Sequence, residues 1–214
     1  MKKRIAMLGI LLLTLVTAGA LQAGQNFEEE LHYFAVIPEQ PGAEGDRVQV
    51  TEFFWYSCPH CYTLEPSLNA WLKRKPANVQ FDRIPAMFSR PDVVLHAKTY
   101  YALRLMGVAD ELHEKIFVAV HDDKRSLRTQ DEMESYLKEQ GVDVDAYRKA
   151  MKSFAVQTQA RRAAVLAERF DIRGVPAIVV DGKYRTGGLE AETMMRVTDF
   201  LIDKVVKEKE MAKK

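Results

Sequence analysis

From Val48 to Tyr56 the chain reads Val-Gln-Val-Thr-Glu-Phe-Phe-Trp-Tyr. β-Branched and aromatic residues dominate, with polar Gln49, Thr51 and Glu52 interspersed, and the pattern predicts a buried or half-buried strand. A helix start follows at once. Pro59 suits the first helical position, where its fixed φ fits and its missing N–H has no partner to lose, and this places Cys58 at the N-cap. The helix should run to about Lys75, whose neighbours Lys73 and Arg74 complement its carboxyl end before Pro76 stops it, with Pro66 inside as a kink. Val79 to Ile84 reads as a second strand, so the segment is a right-handed β-α-β unit with its first turn at the two cysteines.

From about Met87 to Phe154 the period becomes helical. Val94, Tyr101, Ala102, Leu105 and Met106 form one stripe ended by Gly107; Leu112, Ile116, Phe117 and Val120 form a second. Thr129 and Glu132 make a capping box for a third helix closed by Gly141, and Asp143 caps a fourth. His96, His113 and His121 are expected to be exposed or locally bonded helix residues rather than ligands. A longer helix over about 155–170 leads back. Ala177 to Val180 and Lys183 to Arg185, joined by Asp181-Gly182, predict a β-hairpin, since that dipeptide supplies the positive φ angles of a two-residue turn. Glu190 to about Lys207 is a closing amphipathic helix carrying Met194, Val197, Leu201 and Val205, with a frayed Lys/Glu-rich end after it. Tyr33 to Ile37 is a candidate edge strand. Gly174-Val175-Pro176 stands before the hairpin, where Pro176 is either an edge-strand residue or part of a cis peptide exposing the Val175 backbone.

The amino terminus changes the cellular setting. Lys2, Lys3 and Arg4 precede an apolar run from Ile5 to Val16 and then small residues, the layout of a secretory signal peptide ending after Ala20 or Ala23. The run is too short for a comfortable membrane span. Loss of residues 1–23 turns 31 basic and 30 acidic groups into 28 and 30, a balance that gives no case for nucleic acid. The remaining residues can bury a core without staples, and the helical block reads as an insertion rather than a separate domain. The expected organisation is a signal peptide over 1–23, an α/β domain over 24–86 and 157–214, and a helical insertion over 87–156.

The chain holds two cysteines, Cys58 and Cys61, in Cys-Pro-His-Cys. Haem attachment would need histidine at position 62, which is Tyr62. Zinc would need further ligands from histidines or carboxylates with no recognisable spacing. A purely structural bridge over so short a loop removes little entropy from the unfolded chain. A redox dithiol needs only what is present, and the amides and dipole of the helix N-terminus favour a Cys58 thiolate, with Cys61 on the same face one turn deeper. His60 can donate to or charge beside that sulfur.

Glu-Phe-Phe-Trp before Cys58-Pro-His-Cys61, the helical insertion, and Gly-Val-Pro-Ala before an Asp-Gly-Lys-Tyr hairpin together resemble the thioredoxin superfamily and, within it, the DsbA family of periplasmic thiol:disulfide oxidoreductases. The resemblance spans nearly all of the chain after the signal segment and implies a thioredoxin fold with an inserted all-helical domain. It implies that Cys58 is the exposed nucleophile and Cys61 the buried resolving cysteine, with Pro59 and His60 between them. Val175-Pro176 would be the cis peptide facing the disulfide and pairing with substrate backbone. Glu52 would be the buried acid beneath the cysteines, the alternative being a solvent-facing strand residue. Members of the family can carry a lysine near the end of the strand after the first helix; here Asp82-Arg83 stand there, which leaves a second buried charge near Glu52 open.

The function implied is donation of the Cys58–Cys61 disulfide to reduced exported proteins in the periplasm, with reoxidation by a quinone-linked membrane partner of the DsbB type, no cofactor or metal, and a monomeric protein. A periplasmic reductase or isomerase is the competing enzyme. Isomerases of the superfamily usually add a dimerisation domain, for which about 25 residues before the catalytic strand leave no room. A chaperone-like peptide-binding module is the competing non-enzyme.

Overall fold

A computed structural model of the protein describes residues 26–213. The signal segment and its cleavage site lie outside them. Five strands, β1 (Phe34–Ala35), β2 (Val48–Phe54), β3 (Val79–Pro85), β4 (Ala177–Val180) and β5 (Tyr184–Gly187), form one sheet in the order β1-β5-β4-β2-β3. Only β2 and β3 run parallel; the other pairs are antiparallel. The helix between that parallel pair is α1 (Pro59–Arg74), and α7 (Ala191–Met211) follows the hairpin. Five helices intervene between β3 and β4: α2 (Pro91–Met106), α3 (Ala109–His121), α4 (Gln130–Glu139), α5 (Val144–Lys152) and α6 (Phe154–Arg169). This is a thioredoxin fold with a helical insertion.

The elements follow their sequence cues closely. Gly107 ends α2 in the left-handed region at φ 76°, and the Thr129–Glu132 capping box opens α4. Asp143 caps α5 through the amides of Asp145 and Ala146, and Asp181 and Gly182 make the hairpin turn at φ 51° and 70°. β2 stops at Phe54, two residues short of the predicted end, because the Trp55 carbonyl turns back to accept the Cys58 amide at 2.9 Å.

Two apolar clusters share the sheet. Leu64, Leu68 and Trp71 of α1 meet Met194, Val197, Leu201 and Val205 of α7 over Val48, Val50, Ile178 and Val180. The second cluster joins Phe53, Phe54 and Tyr56 to the insertion through Tyr100, Leu112, Ile116 and Phe117, and both cysteines belong to it. The insertion therefore packs into the core beside the dithiol.

Two expectations are corrected. The carboxyl end is not frayed: α7 continues to Met211, Lys209 Nζ donates to the carbonyls of Ala43 and Arg47 and pairs with Asp181 at 2.8 Å, and Lys213 pairs with Asp46. Charged residues that look solvated in sequence are tied to the loop before β2. His96 and His113 are buried, and they and His121 bond outside their own helices, to the Leu127 carbonyl, to Tyr56 and Glu65, and to the Tyr56 carbonyl. In an insertion packed against a sheet, helix faces that read as polar are still turned inward.

Asp181 organises this anchoring. It is buried, and Oδ1 accepts from the amides of Ala43 (2.9 Å) and Gln49 (3.1 Å) while Oδ2 holds Lys209. Asp181→Ala removes an acceptor from two amides and a counter-charge from one ammonium. It should cost about 2–4 kcal/mol in urea unfolding, with the m-value unchanged.

Candidate active site

Cys58 is the N-cap of α1, at φ −86° and ψ 115°, and its sulfur accepts the Cys61 amide at 3.3 Å. The strand-to-helix junction forces this position. The buried strand ends, the chain turns, and Pro59 starts the helix so that unpaired amides face the Cys58 sulfur. As a thiol, Cys58 Sγ donates to the Val175 carbonyl at 3.2 Å. Val175–Pro176 is a cis peptide and faces Cys58, as expected. A second cis bond, Ile37–Pro38, had no cue in the sequence.

The two sulfurs sit in opposite environments. A hydrogen bond from Cys61, together with the Cys61 and His60 amides and the His60 charge, pulls the Cys58 thiol down to about 6 against the opposing effect of burial. Burial pushes the Cys61 thiol far up, and the hydrogen bond to Cys58 and its charge push the same way. Cys61 is wholly buried; Cys58, expected to be exposed, is only 6% exposed. The Val175 carbonyl and the apolar cluster cover most of the residue.

Beside Cys58 a cavity of about 350 Å³ is lined by His60, Thr63, Ile172, Val175, Pro176 and Leu189. Gly187 supports it from β5, since a Cβ there would lie 2.9 Å from the Pro176 carbonyl oxygen. That close approach is what requires glycine at this position.

Glu52 is fully buried, which overturns the solvent-facing alternative. In the parallel register it stands opposite Arg83, whose Nε donates to Glu52 Oε2 at 2.9 Å, so the second charge that the sequence left open is the half-buried Arg83. Burial raises the Glu52 carboxyl to about 8 although the Arg83 charge opposes it, and its Oε1 has no hydrogen-bond partner. Three further residues of this cluster, Glu65, His113 and Tyr56, carry no functional reading in the sequence. One cue existed: Glu65 and Asn69 fall four and eight residues after Cys61, polar positions on the same helical stripe. Among the described residues no group of three or more His, Cys, Asp or Glu side chains could hold a metal ion.

Fold and site together define a thioredoxin-type protein carrying a reactive dithiol. The DSBA-like thioredoxin domain matches residues 49–198. The thiol:disulfide interchange protein DsbA of Burkholderia cepacia is 38% identical over 205 residues, 93% of this chain and 96% of that one. That of Azotobacter vinelandii is 41% identical over 176 residues, 80% of this chain and 81% of the relative. The crystal structure of Pseudomonas aeruginosa DsbA superposes with a TM-score of 0.79 at 34% identity, covering 88% of this chain and 97% of that one. The chain belongs to the DsbA-like family and is a protein dithiol:disulfide oxidoreductase.

The raised Glu52 carboxyl sets a pH signature. A group whose pKa is higher folded than unfolded stabilises the fold at low pH and loses that contribution as pH rises through the folded value. Between about pH 5 and 8 the wild type should therefore lose stability relative to Glu52→Gln, by at most about 1.4 kcal/mol per pH unit, in paired urea titrations.

Proposed function

We propose that the protein is an oxidase of exported proteins. Cys58 is the nucleophilic and attacked sulfur, Cys61 the resolving one, His60 a partner of the Cys58 thiolate, and Pro59 the residue that starts the helix presenting both. A substrate thiolate attacks Cys58 Sγ of the disulfide, forming a mixed disulfide and releasing Cys61 as a thiolate that takes up a proton. A second substrate thiolate attacks the substrate sulfur, and the electron pair returns to Cys58, leaving the protein reduced. Val175 and Pro176 offer backbone to the substrate, and the cavity beside them, lined by apolar residues and by charged Asp171, Arg173 and Glu190, receives its side chains. Glu52 exchanges a proton with Cys61, because it is the buried carboxyl that retains one near neutral pH.

The observation that carries this reading is the opposed placement of the two sulfurs. The reduced form is favoured when Cys58 rests as an anion on the helix N-terminus. A thiol at about 6 is mostly thiolate at pH 7, and this favours the dithiol form by at most about 1.4 kcal/mol, on the order of 30 mV, an upper bound from which solvent screening subtracts. Residues 1–23 fit a signal peptide that delivers the chain to the periplasm, where a quinone-linked membrane oxidase of the DsbB type would restore the disulfide. Residues 24–86 and 157–214 form the thioredoxin-like part, residues 87–156 the insertion, and the protein acts as a monomer.

Equilibration of the purified protein with glutathione should give a dithiol clearly more oxidising than thioredoxin, about −270 mV. A poise as reducing as thioredoxin's would replace the oxidase with a reductase. Cys58→Ser should abolish oxidation of a reduced substrate protein, whereas a peptide-binding module would keep its activity. Alkylation of Cys58 against pH should show a midpoint near 6, and a midpoint near 8 would remove the electrostatic basis of the proposal.

A further inference from the structure

Around the inner side of α1, four side chains from four elements converge. Glu52 comes from β2, Glu65 from α1, Arg83 from β3 and His113 from α3 of the insertion. Arg83 donates to Glu52 Oε2 at 2.9 Å and to Glu65 Oε2 at 3.3 Å. His113 closes the other side, with Nε2 3.3 Å from Glu65 Oε1 and Nδ1 3.2 Å from the Tyr56 hydroxyl. The side chains of Glu52, Glu65 and His113 are 0%, 5% and 8% exposed. A cleft of about 160 Å³ reaches Glu65, Arg83 and His113 from outside, with Asp110 and Glu114 at its rim.

One guanidinium in so dry a site balances one carboxylate, not two. Which acid ionises is decided by donors. Glu65 receives Arg83, Asn69 Nδ2 at 3.4 Å and His113, whereas Glu52 receives Arg83 on one oxygen and nothing on the other. An ionised carboxylate only accepts, so the hydrogen of the neutral His113 ring must sit on Nε2, leaving Nδ1 to accept from Tyr56. Burial keeps the ring neutral, although the Glu65 hydrogen bond opposes it. The charged and titratable groups facing that ring are Glu65 from α1, Arg83 from β3, Tyr56 from the turn after β2, Tyr100 from α2, and Asp110 and Glu114 from its own helix.

We propose that His113 is a positioning residue for the reaction: by donating its Nε2 hydrogen to Glu65 it fixes Glu65 as the ionised acid and leaves the proton on Glu52, where Cys61 can use it. This rests on the reading that Glu52 exchanges a proton with Cys61. When Cys61 leaves as a thiolate, the Glu52 O–H gives its proton to Sγ and keeps the electron pair. The new carboxylate is held by Arg83 until a water proton restores it through the cleft beside Glu65 and His113. Reoxidation runs the sequence backwards: Glu52 first returns its proton to water through the cleft, and the carboxylate then takes the Cys61 proton as that sulfur attacks. The helical insertion thereby sets the protonation of an acid in the thioredoxin part.

The test is the titration of the two carboxyls, followed by carbon NMR of the reduced protein labelled at glutamate, in wild type, His113→Phe, His113→Gln and Tyr56→Phe. In wild type Glu65 should be ionised and Glu52 protonated at pH 6. His113→Phe should raise the proton affinity of Glu65 about tenfold, one pH unit, and lower that of Glu52. His113→Gln can still donate an N–H and should stay within about threefold of wild type. Tyr56→Phe takes away the donor to Nδ1, so the ring is held less firmly against Glu65, and Glu65 should shift in the same direction as in His113→Phe, by less. Unmoved Glu65 titrations in both His113→Phe and Tyr56→Phe overturn the proposal, and if His113→Phe fails to fold, the near-isosteric Tyr56→Phe decides alone. The Glu52 reading is judged separately, by the pH profile with which Cys61 resolves a mixed disulfide: an unchanged profile in Glu52→Gln removes that reading, while the Glu65 titration still judges His113.

Discussion

The constraint on which the structure turns is that two sulfurs three residues apart must occupy opposite electrostatic worlds. The Cys58 sulfur lies at the mouth of α1, receiving the Cys61 amide, while Cys61, one turn inward, is sealed in an apolar cluster with no exposed surface. Neither environment can be provided by the motif alone. The first requires a helix that begins where a buried strand ends, so that its unpaired amides have no other acceptor. The second requires a core thick enough to cover the first turn of that helix from above, and the insertion supplies it through Phe117 and its neighbours.

The same arrangement explains why the insertion cannot be treated as an appendage. Tyr62, directly after Cys61, stacks on His121 at 4.9 Å with the rings 7° from parallel and donates its hydroxyl to Asp122 at 2.6 Å. His121 in turn meets the Tyr56 carbonyl at 2.8 Å. The turn between β2 and α1 is thus clamped by α3 on one side, while the Val175 carbonyl approaches Cys58 from the other. Positions of reacting groups held from two sides by packed elements tolerate little drift, which matters for a reaction in which three sulfurs must line up. Buried beneath is the polar cluster of Glu52, Arg83, Glu65 and His113, each from a different element, a charge arrangement that costs desolvation and persists because every member but one oxygen is bonded.

Much of this was legible in one dimension. The β-α-β unit, the capped helices of the insertion, the hairpin and the Cys58 N-cap all rest on local cues: periodicity, proline and glycine placement, and capping side chains act over a few residues and read directly. So did the expectation of a cis Val175–Pro176 bond, through the resemblance carried by its flanking residues. The misreadings have a common cause. The polar faces holding His96 and His113, and Lys209 and Lys213, look solvated in sequence because polarity predicts exposure only where no second element arrives to bond the group.

The sequence by itself determined which elements form, in what order, and that the chain's two cysteines sit at a helix N-terminus, because propensity, capping and period are properties of neighbouring residues. The tertiary structure decided the rest: that Arg83 stands opposite Glu52, that Gly187 admits the Pro176 carbonyl, that His113 meets Glu65, and that Cys58 is nearly covered. These are contacts between residues separated by 11 to 117 positions, fixed by strand register and helix packing. The pKa of a buried group depends on whatever those contacts bring within a few ångströms, which no local pattern encodes.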